Sequence, residues 1–386
     1  MTLTFRALTD DDLAAHSAES ADAFGTPVGA ATGTTTPLTT EHRWGLVEGG
    51  VLAAQAIDFE YHSYFGGASL PTAGIGNVTV ALEYRGRGAA RRLITETLVQ
   101  ARERGAVLST LFGGAPDLYR RLGYGSIALS QLWRIPLSRF TGIRHSNELR
   151  LVRATAEHRV DIARIYRQAA VRGSAMIDRT ALALNDRDNS ENTTLVVDAL
   201  GSVHGYLTWS RQQEVVRVRE LHADSADSLR TLLSSLATWA SVVTDIEVQC
   251  TAGEPWWHLL PGSAAPVSVV PYMLRVLDVA RAIEGRAWSS DARAQFTLVD
   301  DTIPENSGSW DLTVADGQAR VVPPTSPTAQ PASLTLSAQG FALWYAGTLR
   351  ADELRGLDLL TGDDPESEHS LDALFAAPAP RVTEHF

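Results

Sequence analysis

The sequence predicts an α/β protein of three domains: two related domains, followed by a third that combines a helix with several strands. Length is the first reason, because 386 residues exceed what one hydrophobic core usually serves. The second is an internal repeat at a spacing of about 145 residues. The third is a change in charge along the last hundred or so residues. We place the domains at residues 1–145, 146–275 and 276–386.

The internal repeat consists of a short strand, a turn and an amphipathic helix. It begins at Thr4 and again at Leu149, and each copy continues into a pair of strands. Glycine-containing turns at residues 48–50 and 200–202 predict the two hairpins. The spacing is long enough for a duplicated domain rather than a solenoid.

Residues 77–126 form the most informative segment and predict a strand, a helix, a second strand and a short helix. The first strand, NVTVALE, leads into the turn YRGRGAA and a helix that Gly105 closes as a C-cap. The strand AVLSTLFGG follows, and Gly123 ends the short helix after it. Small residues at such a turn let the backbone approach a ligand, and the free amides of the helix's first turn suit a pyrophosphate.

The last domain is acidic, and its sequence predicts both helix and strands. From residue 281 onward it carries 16 Asp and Glu but 7 Arg, which supplies most of the formal charge of −12. We predict a helix over residues 272–286, followed by strands near residues 294–301, 308–322 and 332–347. The second domain has no counterpart of the YRGRGAA turn; Asp224 and Asp227 stand where a phosphate loop is expected, so it is interpreted as scaffold.

Composition excludes several kinds of site. All 33 basic residues are arginines, so a P-loop lysine, a Schiff-base lysine and a pyridoxal-phosphate enzyme are excluded. The acidic balance disfavours nucleic acid as a partner. The single cysteine, Cys250, excludes a disulfide framework, and the histidines lack the spacing of metal ligands, so no metal is expected. No export signal or membrane span is read, which predicts a cytoplasmic protein.

The segments VTVALEYRGRGAARRL and YRRLGYG resemble the acetyl-CoA site of the GNAT acyltransferase superfamily. Together with LRVLDVARAIEGR and the terminal Phe386, the whole layout resembles the Eis aminoglycoside N-acetyltransferases. The resemblance implies tandem GNAT folds with mixed, centrally splayed sheets and a C-terminal α+β domain similar to sterol carrier protein. It also implies acetyl-CoA as cosubstrate and a homo-oligomer, in that family a hexamer.

The same resemblance implies roles for individual residues. The amide of Val80 would polarise the thioester carbonyl, Tyr124 would protonate the departing thiolate, and the α-carboxylate of Phe386 would accept the proton of the amine. A plain packing role for Tyr124 is the competing interpretation. The further residues assigned to acetyl-CoA are Val78, Arg85, Gly86, Arg87, Gly88, Ala89, Ala90 and Gly114.

The pocket for the acceptor is less clear in the sequence, although carboxylates and aromatic faces suit a polyamine cation. The residues assigned to it are Asp22, Phe24, Trp44, Tyr64 and Glu384. Two positions depart from the pattern expected of close relatives: Asn77 replaces an aromatic residue, and His385 replaces an acidic one before the terminal phenylalanine. Both concern the preference for an acceptor rather than the type of reaction.

The function predicted from these observations is acetyl transfer from acetyl-CoA to amines of aminoglycoside-like polyamines, with several positions accessible. Acetylation of protein lysines uses the same chemistry and is a first alternative. The second alternative belongs to another class, a lipid or acyl-CoA carrier whose acetyl-CoA site is vestigial. An enzyme of the first kind would be associated with antibiotic resistance.

Overall fold

The protein is described by a computed structural model. The structure describes residues 3–25, 40–179, 192–212, 214–251, 253–260, 262, 264–323 and 332–384. In these ranges the α-helices are α1 (Leu13–Phe24), α2 (Ala89–Arg104), α3 (Pro116–Arg120), α4 (Arg159–Arg172), α5 (Ala226–Leu236), α6 (Val279–Gly285), α7 (Ala338–Tyr345), α8 (Ala351–Gly356) and α9 (Pro365–Phe375).

The β-strands of the first two domains are β1 (Thr4–Ala7), β2 (Thr40–Glu48), β3 (Val51–Phe65), β4 (Ala68–Val80), β5 (Leu108–Phe112), β6 (Gly125–Pro136), β7 (Arg150–Arg153), β8 (Asn192–Val197), β9 (Val203–Gln212), β10 (Val215–Ala223), β11 (Asp245–Thr251) and β12 (Ala265–Val276). Those of the last domain are β13 (Ala292–Val299), β14 (Gly308–Ala315), β15 (Gln318–Val322), β16 (Thr335–Ser337) and β17 (Leu360–Thr361). Both copies of the predicted strand–turn–helix repeat are confirmed, as β1 with α1 and β7 with α4.

The first two domains share one continuous mixed sheet. In the described residues its strand order is β1-β2-β3-β4-β5-β12-β6-β11-β10-β9-β8-β7. Strand β12 reaches back into the first domain and lies between β5 and β6, while β6 pairs with β11 of the second domain. Each of the two domains therefore contributes a strand that pairs with strands of the other, and backbone hydrogen bonds as well as side chains join them.

The sheet is splayed at its centre, as the resemblance implies. Strands β4 and β5 run parallel but pair only where residues 72–74 face residues 108–110. Beyond this point β4 continues to Val80 with β3 alone as its paired neighbour. The parting of the two strands leaves an opening in the middle of the first domain, next to the start of α2.

The last domain is a five-stranded sheet, in the order β15-β14-β13-β16-β17, with α6 to α9 packed against it. Its interior is filled by aromatic rings in mutual contact, among them Phe296 stacked on Phe341 at 5.3 Å between ring centroids. Arg286 is buried among the rings of Trp288, Tyr345 and Phe375. The same apolar cluster continues into the first domain through Phe65 and Tyr272.

Two predicted elements of the C-terminal half are wrong. Residues 272–276, predicted as helix, form the end of β12, and the helix α6 begins only at Val279. Residues 338–345, predicted as strand, form α7, whose N-cap Ser337 accepts a hydrogen bond from the Gly340 amide. Both segments are short, mostly apolar and largely buried, and in such segments helical and strand periodicity are hard to tell apart.

A buried ion pair joins strand β12 to the last domain. Arg275 of β12 is 1% exposed and donates to Asp300 over 2.5 and 2.7 Å. Its guanidinium lies against Gly123, which follows α3 with φ of +85°. Any Cβ at that position would overlap the Arg275 Nη1 atom.

We expect Gly123→Ala to lower the free energy of unfolding by about 3 kcal/mol, because backbone strain at positive φ and the clash with Arg275 add together. Gly49→Ala is the matched control, since Gly49 also has positive φ but has open space around its Cα. The control is expected to lose about 1 kcal/mol. Equal losses in denaturant unfolding of the two variants would contradict the contact with Arg275.

Two further observations concern membrane-spanning helices and the single cysteine. Among the described residues, no helix combines the length and the apolar character that crossing a membrane requires. Cys250 is buried in β11, and burial raises the pKa of its thiol to about 12. The thiol is therefore protonated and unreactive, as expected of a cysteine at the end of a buried strand.

Candidate active site

The parting of β4 and β5 opens into a cavity of about 650 Å³. Its walls come from the end of β4, the first turn of α2, the loop after β5, helix α3 and the last residues of α1. Of the predicted site residues, it is lined by Phe24, Val78, Val80, Arg85, Ala90 and Gly114. The structure thus brings these residues assigned to acetyl-CoA, together with Phe24, to one cavity.

The turn before α2 has the geometry of an anion site. Gly86 and Gly88 have positive φ, and a Cβ at either would meet no atom within 4 Å. Gly88 is the N-cap and offers no side-chain cap, and the first helical hydrogen bond is donated by Arg92. The amides of residues 89–91 therefore lack helical partners, which suits an anion.

The arginines of the turn differ in their contacts. Arg85 donates from Nε to the carbonyl of Val80 over 2.9 Å, which ties the turn to the end of β4 and leaves its terminal nitrogens for a phosphate. Arg87 is exposed. Open space, unpartnered amides and two cations fit the pyrophosphate of a CoA thioester.

The second domain lacks this arrangement in its described residues. Helix α5 stands where α2 stands in the first domain, but its N-cap Ser225 accepts a hydrogen bond from the Ser228 amide. Asp227 lies in its first turn and Asp224 just before it. A capped helix start flanked by carboxylates disfavours an anion.

The amide of Val80 faces the opening. Its neighbour Ala81 donates its own amide to Ala53 of β3 over 3.0 Å. Successive amides along an extended strand point to opposite edges, so that of Val80 points away from β3 and toward the gap left by β5. The geometry is that of a donor for an acyl oxygen.

The two tyrosines after β5 occupy different environments. Tyr124 is fully buried and its hydroxyl lies 2.6 Å from Ser109 Oγ, and it is not among the described residues that line the cavity. Tyr119 does line the cavity, with its ring edge-on to that of Tyr124 at 5.9 Å. Burial raises the pKa of Tyr119 to about 12. The tyrosine that lines the cavity is therefore five residues earlier in YRRLGY than the one assigned from the sequence.

The residues assigned to the acceptor do not all meet. Phe24 is 54% exposed at the cavity wall, and Asp22 lies close by on α1. Trp44 stacks on Phe5 at 5.1 Å and is not among the described residues that line the cavity. Tyr64 is 4% exposed and packs against the second domain beside Tyr166.

Two features of the cavity were missed or only partly read in the sequence. Glu19 of α1 lies near Asp22, Glu83 and Arg85; burial and then the two neighbouring carboxylates raise its pKa. Asn77 lines the cavity with φ of +49° and donates to Ser20 Oγ over 2.8 Å. The wall of the cavity at residue 77 is therefore polar, and the carboxylates of Glu19, Asp22 and Glu83 lie near Arg85, outside the lining itself.

The C-terminal segment packs on the second domain. Arg381 and Val382 are held by hydrogen bonds from their amides to the Ser174 carbonyl and to the Thr251 side chain. Glu384 is 2% exposed and accepts from Arg179 and Tyr166. The Glu384 carboxylate, which the sequence analysis assigned to the pocket of the acetyl acceptor, is therefore engaged in an ion pair and is not free to bind that substrate. Phe386 lies outside the described residues.

A second cavity of about 410 Å³ lies at the other end of α2. Asp58, fully buried there, pairs with Arg104 of α2, and burial raises its pKa to about 6. The pair ties β3 to the end of α2. In the described part of the chain no group of His, Cys, Asp or Glu side chains is arranged to hold a metal ion.

Comparison with known families supports the domain order. Residues 4–127 and 169–281 each match an acetyltransferase (GNAT) domain model, and residues 279–383 match a sterol carrier protein domain model. A GCN5-related N-acetyltransferase structure from Anabaena variabilis superposes over 100% of both chains with a TM-score of 0.88 at 23% identity, which shows the fold.

Two curated relatives extend the likeness along the chain. An uncharacterized N-acetyltransferase of Streptomyces avermitilis is 28% identical, covering 80% of this chain and 79% of the relative. The N-acetyltransferase Eis of Mycobacterium tuberculosis is 25% identical, covering 81% and 80%. The first GNAT match contains the turn, the splayed strands and most of the cavity described above. The chain therefore carries two GNAT acetyltransferase domains and a sterol carrier protein domain, and along about four fifths of its length it is similar to the N-acetyltransferase Eis.

Proposed function

We propose that the protein transfers the acetyl group of acetyl-CoA to amino groups of aminoglycoside-like polyamines, at more than one position. The observation that carries the proposal is the cavity that joins the anion-binding turn, the Val80 amide and Tyr119 to a wall flanked by acidic residues. A cationic acceptor suits carboxylates and an exposed aromatic face such as Phe24. The Eis relatives support the choice of acceptor class.

Acetyl-CoA binds in the first domain alone in this proposal. The turn at residues 85–88 and the start of α2 hold the pyrophosphate, and the loop at Gly114 gives the chain of the cofactor room. The Val80 amide donates to the thioester oxygen as negative charge develops on it. The amine attacks the carbonyl carbon, the C–S bond breaks, and CoA leaves as a thiolate that must be protonated.

Tyr119 is the general acid of this proposal, in place of Tyr124. Its side chain lines the cavity, whereas the Tyr124 hydroxyl is engaged by Ser109 behind it. A tyrosine with a pKa of about 12 carries its proton at neutral pH and can donate it to the thiolate. Tyr124 keeps the packing role that was its competing interpretation.

The experiment that tests the proposal compares Tyr119→Phe with Tyr124→Phe. We expect Tyr119→Phe to lower kcat by about 10²-fold or more, because general acid catalysis is typically worth 10²–10⁴-fold, with the KM for acetyl-CoA unchanged. Tyr124→Phe removes the bond to Ser109 only and is expected to keep kcat within about threefold. Thiol release in the presence of amines is the measurement. The reverse order of effects would return the role to Tyr124.

The base in this proposal is the α-carboxylate of Phe386. An unperturbed terminal carboxylate has a pKa near 3.5 and is ionised at neutral pH, so it can take a proton from the acceptor's ammonium group, directly or through water, and leave the neutral amine that attacks. This assignment is supported by a chain of contacts that leads from the C-terminal segment toward the cavity. Glu384 is hydrogen-bonded to the Tyr166 hydroxyl, and that hydroxyl lies 2.9 Å from the carbonyl oxygen of Ile177. Ile177 packs on Ile57 and Phe59, which line the cavity.

The alternatives have less support. Acetylation of protein lysines uses the same site, and no described feature favours a protein acceptor over a small polyamine. A lipid carrier needs internal space in the last domain, where Phe296, Phe341 and Phe375 instead pack ring against ring. A homo-oligomer, with the hexamer that the resemblance implies, and a cytoplasmic location remain predictions.

A further inference from the structure

We propose that Arg179 is a positioning residue that docks the C-terminal segment through Glu384 and so holds the terminal carboxylate at the cavity. This inference rests on the proposed base. It concerns a buried cluster of the second domain that neither the motifs nor the acetyl-CoA site includes. Three charged side chains form it, contributed by points of the sequence up to 205 residues apart.

The cluster is an arginine between two carboxylates. Arg179 donates from Nε to Glu384 over 2.7 Å and from Nη1 and Nη2 to Glu220 over 3.2 and 2.8 Å. The three side chains are 6%, 2% and 4% exposed, in the order Arg179, Glu384 and Glu220. The guanidinium fork can serve both carboxylates at once, which a lysine ammonium cannot do with the same geometry.

Tyrosines complete the cluster. Tyr166 donates to Glu384 over 2.8 Å, and Tyr206 donates to Glu220 over 2.7 Å. The Arg179 guanidinium also lies over the Tyr166 ring at 3.7 Å. Every charged group of the cluster thus has partners despite its burial, and removing one leaves an uncompensated charge in the interior.

The cluster is fixed to the first domain. Residues 175–178 pair with the end of β3, where the amide of Tyr64 donates to Met176 over 2.8 Å and that of Asp178 donates to His62 over 2.7 Å. Arg179 follows this segment directly. A C-terminal segment bound to Arg179 is therefore connected, through the backbone of residues 175–178, to strand β3, which contributes Ile57 and Phe59 to the cavity wall.

The position of Glu384 in the chain makes this contact decisive. Two residues follow it, and two extended residues span at most about 7 Å. Without the contact the last fixed point is Val382, bonded to Thr251 over 2.9 Å. Four residues span about 14 Å. Doubling the reach enlarges the accessible volume about eightfold, so the effective concentration of the carboxylate at the cavity falls accordingly.

The experiment uses the full chain with Glu384→Gln and, as matched control, Glu247→Gln. Glu247 is also a buried carboxylate of the second domain, bound by Arg134 and Arg217 over 2.6 and 2.7 Å, but it lies apart from the tail. We expect Glu384→Gln to lower kcat by about three- to tenfold with the KM for acetyl-CoA within about twofold. Carboxypeptidase should release Phe386 at least about tenfold faster from this variant, as followed by mass spectrometry. The control should match the wild type in both measurements.

Arg179→Lys, which keeps the charge but loses the fork, is expected to lie between the wild type and Glu384→Gln in both measurements. Release of Phe386 from Glu384→Gln at the wild-type rate would overturn the docking. Faster release with unchanged kcat would overturn its use in catalysis. A wrong assignment of the terminal carboxylate as base would give a different result. A chain ending in an amide would then stay active, while Phe386 of the wild type would still be protected from carboxypeptidase.

Discussion

Gly88→Glu is expected to abolish acetyl-CoA binding, with an increase in Kd of at least about 100-fold. The new carboxylate would stand at the uncapped start of α2, in the open space that the structure leaves around Gly88. An anion fixed there competes for the same amides and repels the pyrophosphate at short range. Calorimetric titration of the full-length protein with acetyl-CoA measures the effect.

Gly201→Glu is the control for this variant. Gly201 lies in the turn between β8 and β9, with φ of +88°, and a Cβ added there would meet no atom within 4 Å. The substitution therefore introduces the same side chain at the same backbone conformation, far in sequence from the acetyl-CoA turn. Similar thermal stability of the two variants with binding lost only in Gly88→Glu would assign the loss to the site. Retained binding in Gly88→Glu would contradict the location of the pyrophosphate.

The local parts of the site could be predicted from the sequence because their signals are local. The turn at residues 85–88, the helix α2 and its C-cap Gly105 each depend on neighbouring residues, and glycines at positive φ mark them. The choice between Tyr119 and Tyr124 could not be made in this way. Both lie in the same short segment, and only the packing of α3 decides which ring lines the cavity.

The parts that were missed depend on contacts between distant residues. The sequence of β12 does not reveal that it lies between β5 and β6, because pairing is set by the whole sheet. The last five residues of β12 are buried on both faces, which removed the alternation that would have marked them as a strand. Arg179 and Glu384 carry no motif, and their ion pair exists only because the tail returns to the second domain.

Glu19 is a further case in which the sequence alone could not identify the relevant residue, here within a single helix. The sequence pointed to Asp22 as the carboxylate of the acceptor pocket, and both residues lie on α1. Burial contributes most to the raised pKa of Glu19, and its neighbours Asp22 and Glu83 raise it further. Which carboxylate of α1 is the more buried depends on how α1 packs on β4, and hydropathy alone left this open.

Converting the terminal carboxylate of Phe386 to a carboxamide is expected to lower kcat by about 10²-fold or more, because the amide cannot accept the proton of the ammonium. The KM for acetyl-CoA should not change, since the turn at residues 85–88 and the Val80 amide are untouched. An intein fusion gives the matched pair: the same thioester precursor yields the acid on hydrolysis and the amide on treatment with ammonia. The two products differ only in the terminal group.

Two further forms extend the comparison with the acid. Deleting Phe386 places the carboxylate about 3.5 Å short of its position, a displacement large enough to disable proton transfer. An added C-terminal tag removes the charge and adds chain beyond the Glu384 contact, so it should be as inactive as the amide. Both should retain the thermal stability of the acid, because Arg179 still holds Glu384. If the amide turns over amines at the rate of the acid, the base is another group, with Glu83 or a chain of water molecules next in line.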